Sequence, residues 1–199
     1  MARRSIVWVK EDPPGAEFAD VRIGRDRLSA SGHAIGSKPT GYRADYWLFT
    51  GKSFVTSDMM VAARGEGWGR RLDLSRSRSG RWSVKTTRRG RVDLPPPGGD
   101  MSLVEGAVDC DLALSPLTNT MPVLRHRLLE SGGPLEFLMA WVSVPDLHVY
   151  PSRQRYTFVR KTRTGSVIRY ESSSRDFVAE LTFDQDGLCL DYPGIGRRV

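Results

Sequence analysis

The densest set of reactive and hydrogen-bonding side chains in the chain runs from Asp109 to Arg127. Asp109 and Asp111 stand two apart, so on a strand both carboxylates face the same way. They would lie about 7 Å apart, a spacing that serves carboxylate pairs in glycoside hydrolysis. Such a pair divides acid and base roles only where its surroundings separate the two pKa values, and aspartates beside arginines are usually both ionised. Arg125 and Arg127 are likewise two apart, if that stretch is extended. Ser115-Pro116 breaks a strand ladder, and Thr118-Asn119-Thr120 packs three short hydrogen-bonding side chains into the turn. Asn119 is the sole asparagine. Two readings stand side by side. In one, Asp–Arg pairs and Asn/Thr side chains satisfy a partly buried corner. In the other, Asp109, Asp111, Asn119 and Arg125 form a polar mouth for a hydroxyl-rich or anionic head group. Either way, Asp111 and Asn119 are expected to be buried and bonded to backbone or to Arg125, because the freed N–H and C=O groups need partners.

The remaining chemistry-bearing residues form no motif. Cys110 and Cys189 have no CxxC or Cys/His spacing, so no metal is expected. Carboxylates on both sides of Cys110 disfavour a thiolate, and alternation places it with Val108, Leu112 and Leu114 on an apolar, buried face. His33, His126 and His148 are scattered, with no Ser or Cys in a nucleophile turn. Gly65-Glu66-Gly67-Trp68-Gly69 lacks the Lys-Ser/Thr of a phosphate loop and reads as a hairpin turn. No cofactor is expected and no catalytic residue is assigned.

Charge is regional. The chain carries +7 at pH 7. From Arg64 to Arg91 ten cations face only Glu66 and Asp73, a local +8 that leaves −1 for the rest. Arg153 to Arg169 adds six cations and no acid. Arginine outnumbers lysine 25 to 5, a bias that a GC-rich genome also produces, so the total is weak evidence for a nucleic-acid partner.

The elements that must position these residues read as β almost throughout. Short runs with period-2 alternation recur between Gly, Pro, Ser and Asp turns: 44–50, 54–63, 70–75, 82–86, 108–114, 156–160 and 167–170. Phe177 to Phe183, an Asp184–Gly187 turn and Leu188 to Tyr192 make a hairpin. Leu135 to Val144 is apolar on both faces and is assigned as a central strand. Residues 122–131 fit a short helix or an alternating strand equally. The Pro/Gly-rich stretch 94–99 reads as a long loop within one domain spanning 1–199. The expected fold is therefore all-β: a single antiparallel, strongly curved roll or incomplete barrel with at most one or two short helices. No apolar run is long enough to span a bilayer. The apolar stretch Ser5–Val9 is too short for a secretory signal before Lys10-Glu11-Asp12, which points to a cytoplasmic protein.

Several of these residues carry a family resemblance. Asp109-Cys110-Asp111-Leu112 and Ser115-Pro116-Leu117-Thr118-Asn119-Thr120-Met121-Pro122 resemble the central motif of the bacterial putative glycolipid-binding family, formerly a domain of unknown function. The resemblance continues through Ala140-Trp141-Val142, Gln154-Arg155-Tyr156, Tyr170-Glu171, Phe177-Val178-Ala179-Glu180-Leu181, Asp186-Gly187-Leu188 and Asp191-Tyr192-Pro193-Gly194. The first half, with Trp8, Tyr42, Asp45, Trp47 and Gly80-Arg81-Trp82, matches more loosely. Leu124 and His126 depart from the pattern. The resemblance implies a spiral β-roll like the curved sheets of lipoprotein carriers, and the functional label is an analogy at the level of fold.

Three functions follow as expectations. The first is non-enzymatic binding of an amphiphile, a glycolipid or lipid, with Trp47, Trp141, Tyr156 and Tyr170 as an apolar or sugar-stacking wall and Asp109, Asp111, Asn119 and Arg125 taking the head. The second is binding of nucleic acid or an anionic surface through Arg64–Arg91, where Trp68 and Trp82 interleave with the cations; peripheral membrane contact belongs here. The third is a carboxylate-dependent hydrolase acting on a sugar or lipid.

Overall fold

Alternation in the sequence becomes burial strand by strand in the computed structural model, which describes residues 2–199. In β1 (Ala2–Lys10) Ile6, Trp8 and Lys10 turn inward while Val7 and Val9 face outward. β2 (Gly15–Ile23), β3 (Leu28–Gly36), β4 (Tyr42–Thr50), β5 (Thr56–Gly65), β6 (Trp68–Arg76) and β7 (Trp82–Gly90) follow, each antiparallel to its predecessor. The chain then crosses back to β8 (Asp109–Leu112), a 3-10 turn at Pro116–Asn119 and the one α-helix among the described residues, α1 (Thr120–Arg125). A second meander completes it: β9 (Leu135–Val142), β10 (Val149–Lys161), β11 (Gly165–Ser172), β12 (Phe177–Asp184), β13 (Cys189–Tyr192) and β14 (Gly196–Arg198).

All fourteen strands belong to one sheet, ordered β7-β6-β5-β4-β3-β2-β1-β14-β13-β12-β11-β10-β9-β8. Among the described strands only β8 and β9 pair in parallel. The two meanders join where Trp8 pairs with Arg198 and Lys10 with Gly196. The Trp8 indole N–H also donates to the Cys189 carbonyl at 2.9 Å. The sheet does not close: β7 and β8 are its edges. It curls until β8 lies inside the roll, where the Thr56 N–H donates to the Val108 carbonyl (3.1 Å) and the Cys110 N–H to Thr56 Oγ1 (3.2 Å). Curling gives an edge strand polar partners that solvent would otherwise supply.

Glycines make the first meander tight. Gly32 pairs with Tyr46 and Gly36 with Tyr42, and a Cβ at either glycine would overlap the tyrosine ring laid across it. The 94–99 loop is strapped down: the buried Arg70 guanidinium donates to the carbonyls of Leu94, Pro95 and Asp146. Gly98 forms a parallel bridge with His148. Among the described residues no helix is long and apolar enough to cross a membrane.

The fold class is as expected, and boundaries moved in identifiable places. Residues 135–142 are a strand, whereas 122–131 is neither alternative in full: the helix runs from Thr120 to Arg125 and then unwinds through Arg127, whose φ is 54°. Phe54 belongs to a 3-10 turn, and that strand begins at Thr56. Gly65–Gly69 spans the β5–β6 hairpin.

Candidate functional site

β8 divides the interior. Its Cys110 and Leu112 side chains join the apolar core of the first meander. Its Asp111 side chain meets the second, at Gln154, and its Asp109 side chain meets Arg125 of α1. Both carboxylates are buried. Arg125, at the end of α1, donates to both oxygens of Asp109, with Nη1 to Oδ1 at 2.9 Å and Nη2 to Oδ2. Burial pushes the Asp109 carboxyl above the usual range, and the guanidinium opposes that rise. Asp111 accepts from the Thr118 hydroxyl at 2.7 Å and the Gln154 amide at 2.6 Å. Burial raises its pKa too, offset by the charge of Arg175 and by these two hydrogen bonds.

Asn119 completes the seam. Its Oδ1 lies 2.8 Å from the Tyr156 hydroxyl, which is also 3.0 Å from Gln154 Oε1. Its Nδ2 donates to the Pro116 carbonyl at 3.4 Å. Tyr156 packs edge-on against Tyr170, with centroids 5.2 Å apart. Arg175, from the β11–β12 turn, donates to the Tyr170 hydroxyl and lies 5.2 Å over the Trp141 ring. Asp111, Asn119, Trp141 and Arg175 border a void of about 10 Å³, roughly the room for one water.

The structure therefore brings together seven of the eight nominated residues: Asp109, Asp111, Asn119, Arg125, Trp141, Tyr156 and Tyr170. Asp111 and Asn119 are buried as expected, and Asn119 does bond backbone at Pro116. The correction is to Asp111, which takes Thr118 and Gln154 while Arg125 serves Asp109. Helix α1 is the reason, since it turns the guanidinium toward the β8 end nearer Asp109. Arg175 went unnominated: a cation in a Ser-rich turn carries no mark in sequence.

Trp47 stands apart, on the outward face of β4 and 38% exposed. With Val7, Phe18 and Ile35 from β1, β2 and β3 it floors an open groove of about 590 Å³. The rim is polar. His33 Nδ1 lies 2.7 Å from Asp45 Oδ1, and Arg64 and Arg43 approach Asp45 Oδ2 at 3.4 and 3.7 Å. The basic segment is also changed by folding. Trp68 and Trp82 are buried, with the Trp82 indole N–H on the Ala107 carbonyl at 2.9 Å. The interleaved aromatics on which the nucleic-acid expectation leaned are thus on the inner face, unavailable for base stacking.

A sequence profile described as "Putative glycolipid-binding" matches residues 5–198. The chain belongs to this family. The match takes in the first half, where the motifs resembled the family only loosely. A crystal structure of a DUF1089 family protein from Pseudomonas aeruginosa superposes with a TM-score of 0.70 at 24% identity, covering 92% of each chain. That likeness speaks to the fold. Nothing among curated proteins matches the chain.

Within this family member the Asn119 seam makes a direct test. Asn119→Ala removes the acceptor facing the Tyr156 hydroxyl in a buried site. It is expected to cost about 1–3 kcal/mol of stability, read from urea midpoints. A loss below a few tenths would show that the seam is not sustained by this contact.

Proposed function

We propose that the protein binds an amphiphile such as a glycolipid without transforming it. The apolar part would lie on Val7, Phe18, Ile35 and Trp47, and the hydroxyl-bearing head against Asp45, His33 and Arg43. The observation carrying this reading is the groove itself. An open site of about 590 Å³ floored by outward-facing apolar side chains is where a soluble sheet normally places polar residues, and such patches commonly mark interaction sites. A few convergent polar groups at one rim are what orients a ligand in an apolar cleft. The family's description points the same way. The non-enzymatic half rests on Asp109 and Asp111, which are committed to Arg125 and to Thr118 and Gln154, beside a void too small for a sugar ring. In this reading Asp109, Asp111, Asn119 and Arg125 hold the roll together.

Monomeric octyl glucoside and a panel of glycolipids, followed by native mass spectrometry and thermal shift, test the proposal. Retained ligand is expected, with Trp47→Ala weakening affinity roughly tenfold, about 1.4 kcal/mol, and little change in melting temperature because Trp47 is partly exposed. A clean apo mass with no shift across the panel would overturn it.

A further inference from the structure

Strand register orders the outward face of the first meander into rows. One row runs Val9, Ala16, Ile35, Arg43, Arg64, Gly69, Arg89, each residue the Cα partner of the next across β1 to β7. At about 4.8 Å per strand it is roughly 29 Å long. No carboxylate lies in it. The first three strands contribute apolar side chains, Ile35 being 55% exposed; β4, β5 and β7 contribute arginines, and β6 contributes Gly69 between them. Arg43 and Arg64 sit directly opposite each other, an arrangement that repels, and they share the single carboxylate of Asp45 from the adjoining row. Arg89 has no anionic partner among the described residues, and neither does Arg91 beyond it, both exposed.

We propose that this face docks the protein on an anionic lipid bilayer. Val9, Ile35 and the neighbouring Phe18 and Trp47 would enter the head-group layer, and Arg43, Arg64 and Arg89 would meet lipid phosphates. An apolar stripe flanked by cations is the pattern that lies in a membrane interface, and an anionic leaflet adds attraction for each nearby arginine. A nucleic acid would use the cationic half alone, leaving Val9 and Ile35 facing water. The inference rests on the amphiphile reading in one respect: the bilayer would be where the groove acquires or delivers its ligand.

Vesicle sedimentation tests it, using phosphatidylcholine alone and phosphatidylcholine mixed with phosphatidylglycerol. Binding is expected only to the mixed vesicles and weakens as salt is raised. Arg89→Glu, outside the groove, is expected to lower partitioning roughly tenfold, and Ile35→Asp to abolish it. Arg163→Glu makes the same change in net charge on the exposed β10–β11 turn and is expected to leave binding unchanged. Equal binding to both vesicles, no binding, or an equal loss with Arg163→Glu would overturn the proposal. So would tighter binding of single-stranded DNA than of the mixed vesicles, with Ile35→Asp having no effect. Monomeric octyl glucoside separates the two claims: if it binds and vesicles do not, docking fails and the amphiphile reading stands. If vesicles bind and the monomer does not, the reverse holds.

Discussion

Arg125→Met is expected to destabilise the fold by about 3–5 kcal/mol at neutral pH. Asp109 has no exposed side-chain surface, and Arg125 is the partner that reaches both of its oxygens. A methionine fills much of the same space but leaves a buried carboxylate uncompensated, which costs far more than a surface ion pair is worth. The loss also acquires a pH dependence of fixed sign. Burial already raises the Asp109 pKa from 3.8, and the guanidinium is the main force holding it back, so the variant's native carboxyl moves further up. A group with a raised native pKa contributes stability that is fully present below its unfolded value and is lost as pH rises through the native one. The deficit relative to wild type should therefore be smallest near pH 3.8 and grow toward neutrality. Adding Asp109→Asn should recover most of it, because no charge then remains buried. Guanidinium midpoints across that range measure both effects. A deficit below about 1 kcal/mol at neutral pH, or one that does not vary with pH, would show that the pair is not what anchors α1 to β8.

In the second meander β12 and β13 were legible because they alternate and are joined by an Asp-Gly turn, from Phe177 to Tyr192, whereas the first half of β10 and the three-residue β14 were not read. In the first meander β4 to β7 were read in part, and β1 to β3 were not. β3 reads Leu-Ser-Ala-Ser-Gly-His-Ala-Ile-Gly, a run of small residues with little strand preference of its own. It is a strand because Gly32 and Gly36 make room for the Tyr46 and Tyr42 rings, a fact that only the paired strand reveals. β1 ends in Lys10, which looks like the end of an apolar run and is instead buried against Glu17. The Asp109–Arg127 seam was found as a set of residues, because their types are those that satisfy a broken strand end. Their partners were found only in part: Tyr156 was expected as an apolar or sugar-stacking wall rather than as a donor to Asn119, and Gln154 and Arg175 come from elements distant in sequence. The groove was the least visible feature. Alternation says that Val7, Phe18, Ile35 and Trp47 face outward, but only register puts them side by side.

Lys10→Met should cost a similar ~3–5 kcal/mol, at a site that no motif marks. Glu17 is almost wholly buried. Its Oε2 faces Lys10 Nζ at 3.1 Å, and its Oε1 accepts from the Tyr46 hydroxyl at 2.7 Å and the Ser115 hydroxyl at 2.5 Å. This one carboxylate ties β1, β2 and β4 to the loop leaving β8, so it joins the wall of the roll to the strand inside it. Burial and the Glu17 charge together push the Tyr46 hydroxyl well above 10 and Tyr42 up to about 12, so both remain donors at any ordinary pH. Removing the ammonium strands the carboxylate with neutral donors only. The double variant Lys10→Met/Glu17→Gln keeps an acceptor for Tyr46 and Ser115 and buries no charge. It should return to within about 1 kcal/mol of wild type, since replacing both members of a buried pair is often nearly neutral. A double variant as unstable as the single one would mean that the charge of Glu17, rather than its hydrogen bonds, organises the site. The same pair of proteins reports on the groove, because Ala16 and Phe18 flank Glu17 in β2 and face outward. Under the proposed amphiphile reading, octyl glucoside binding should fall in the single variant and return with stability in the double one.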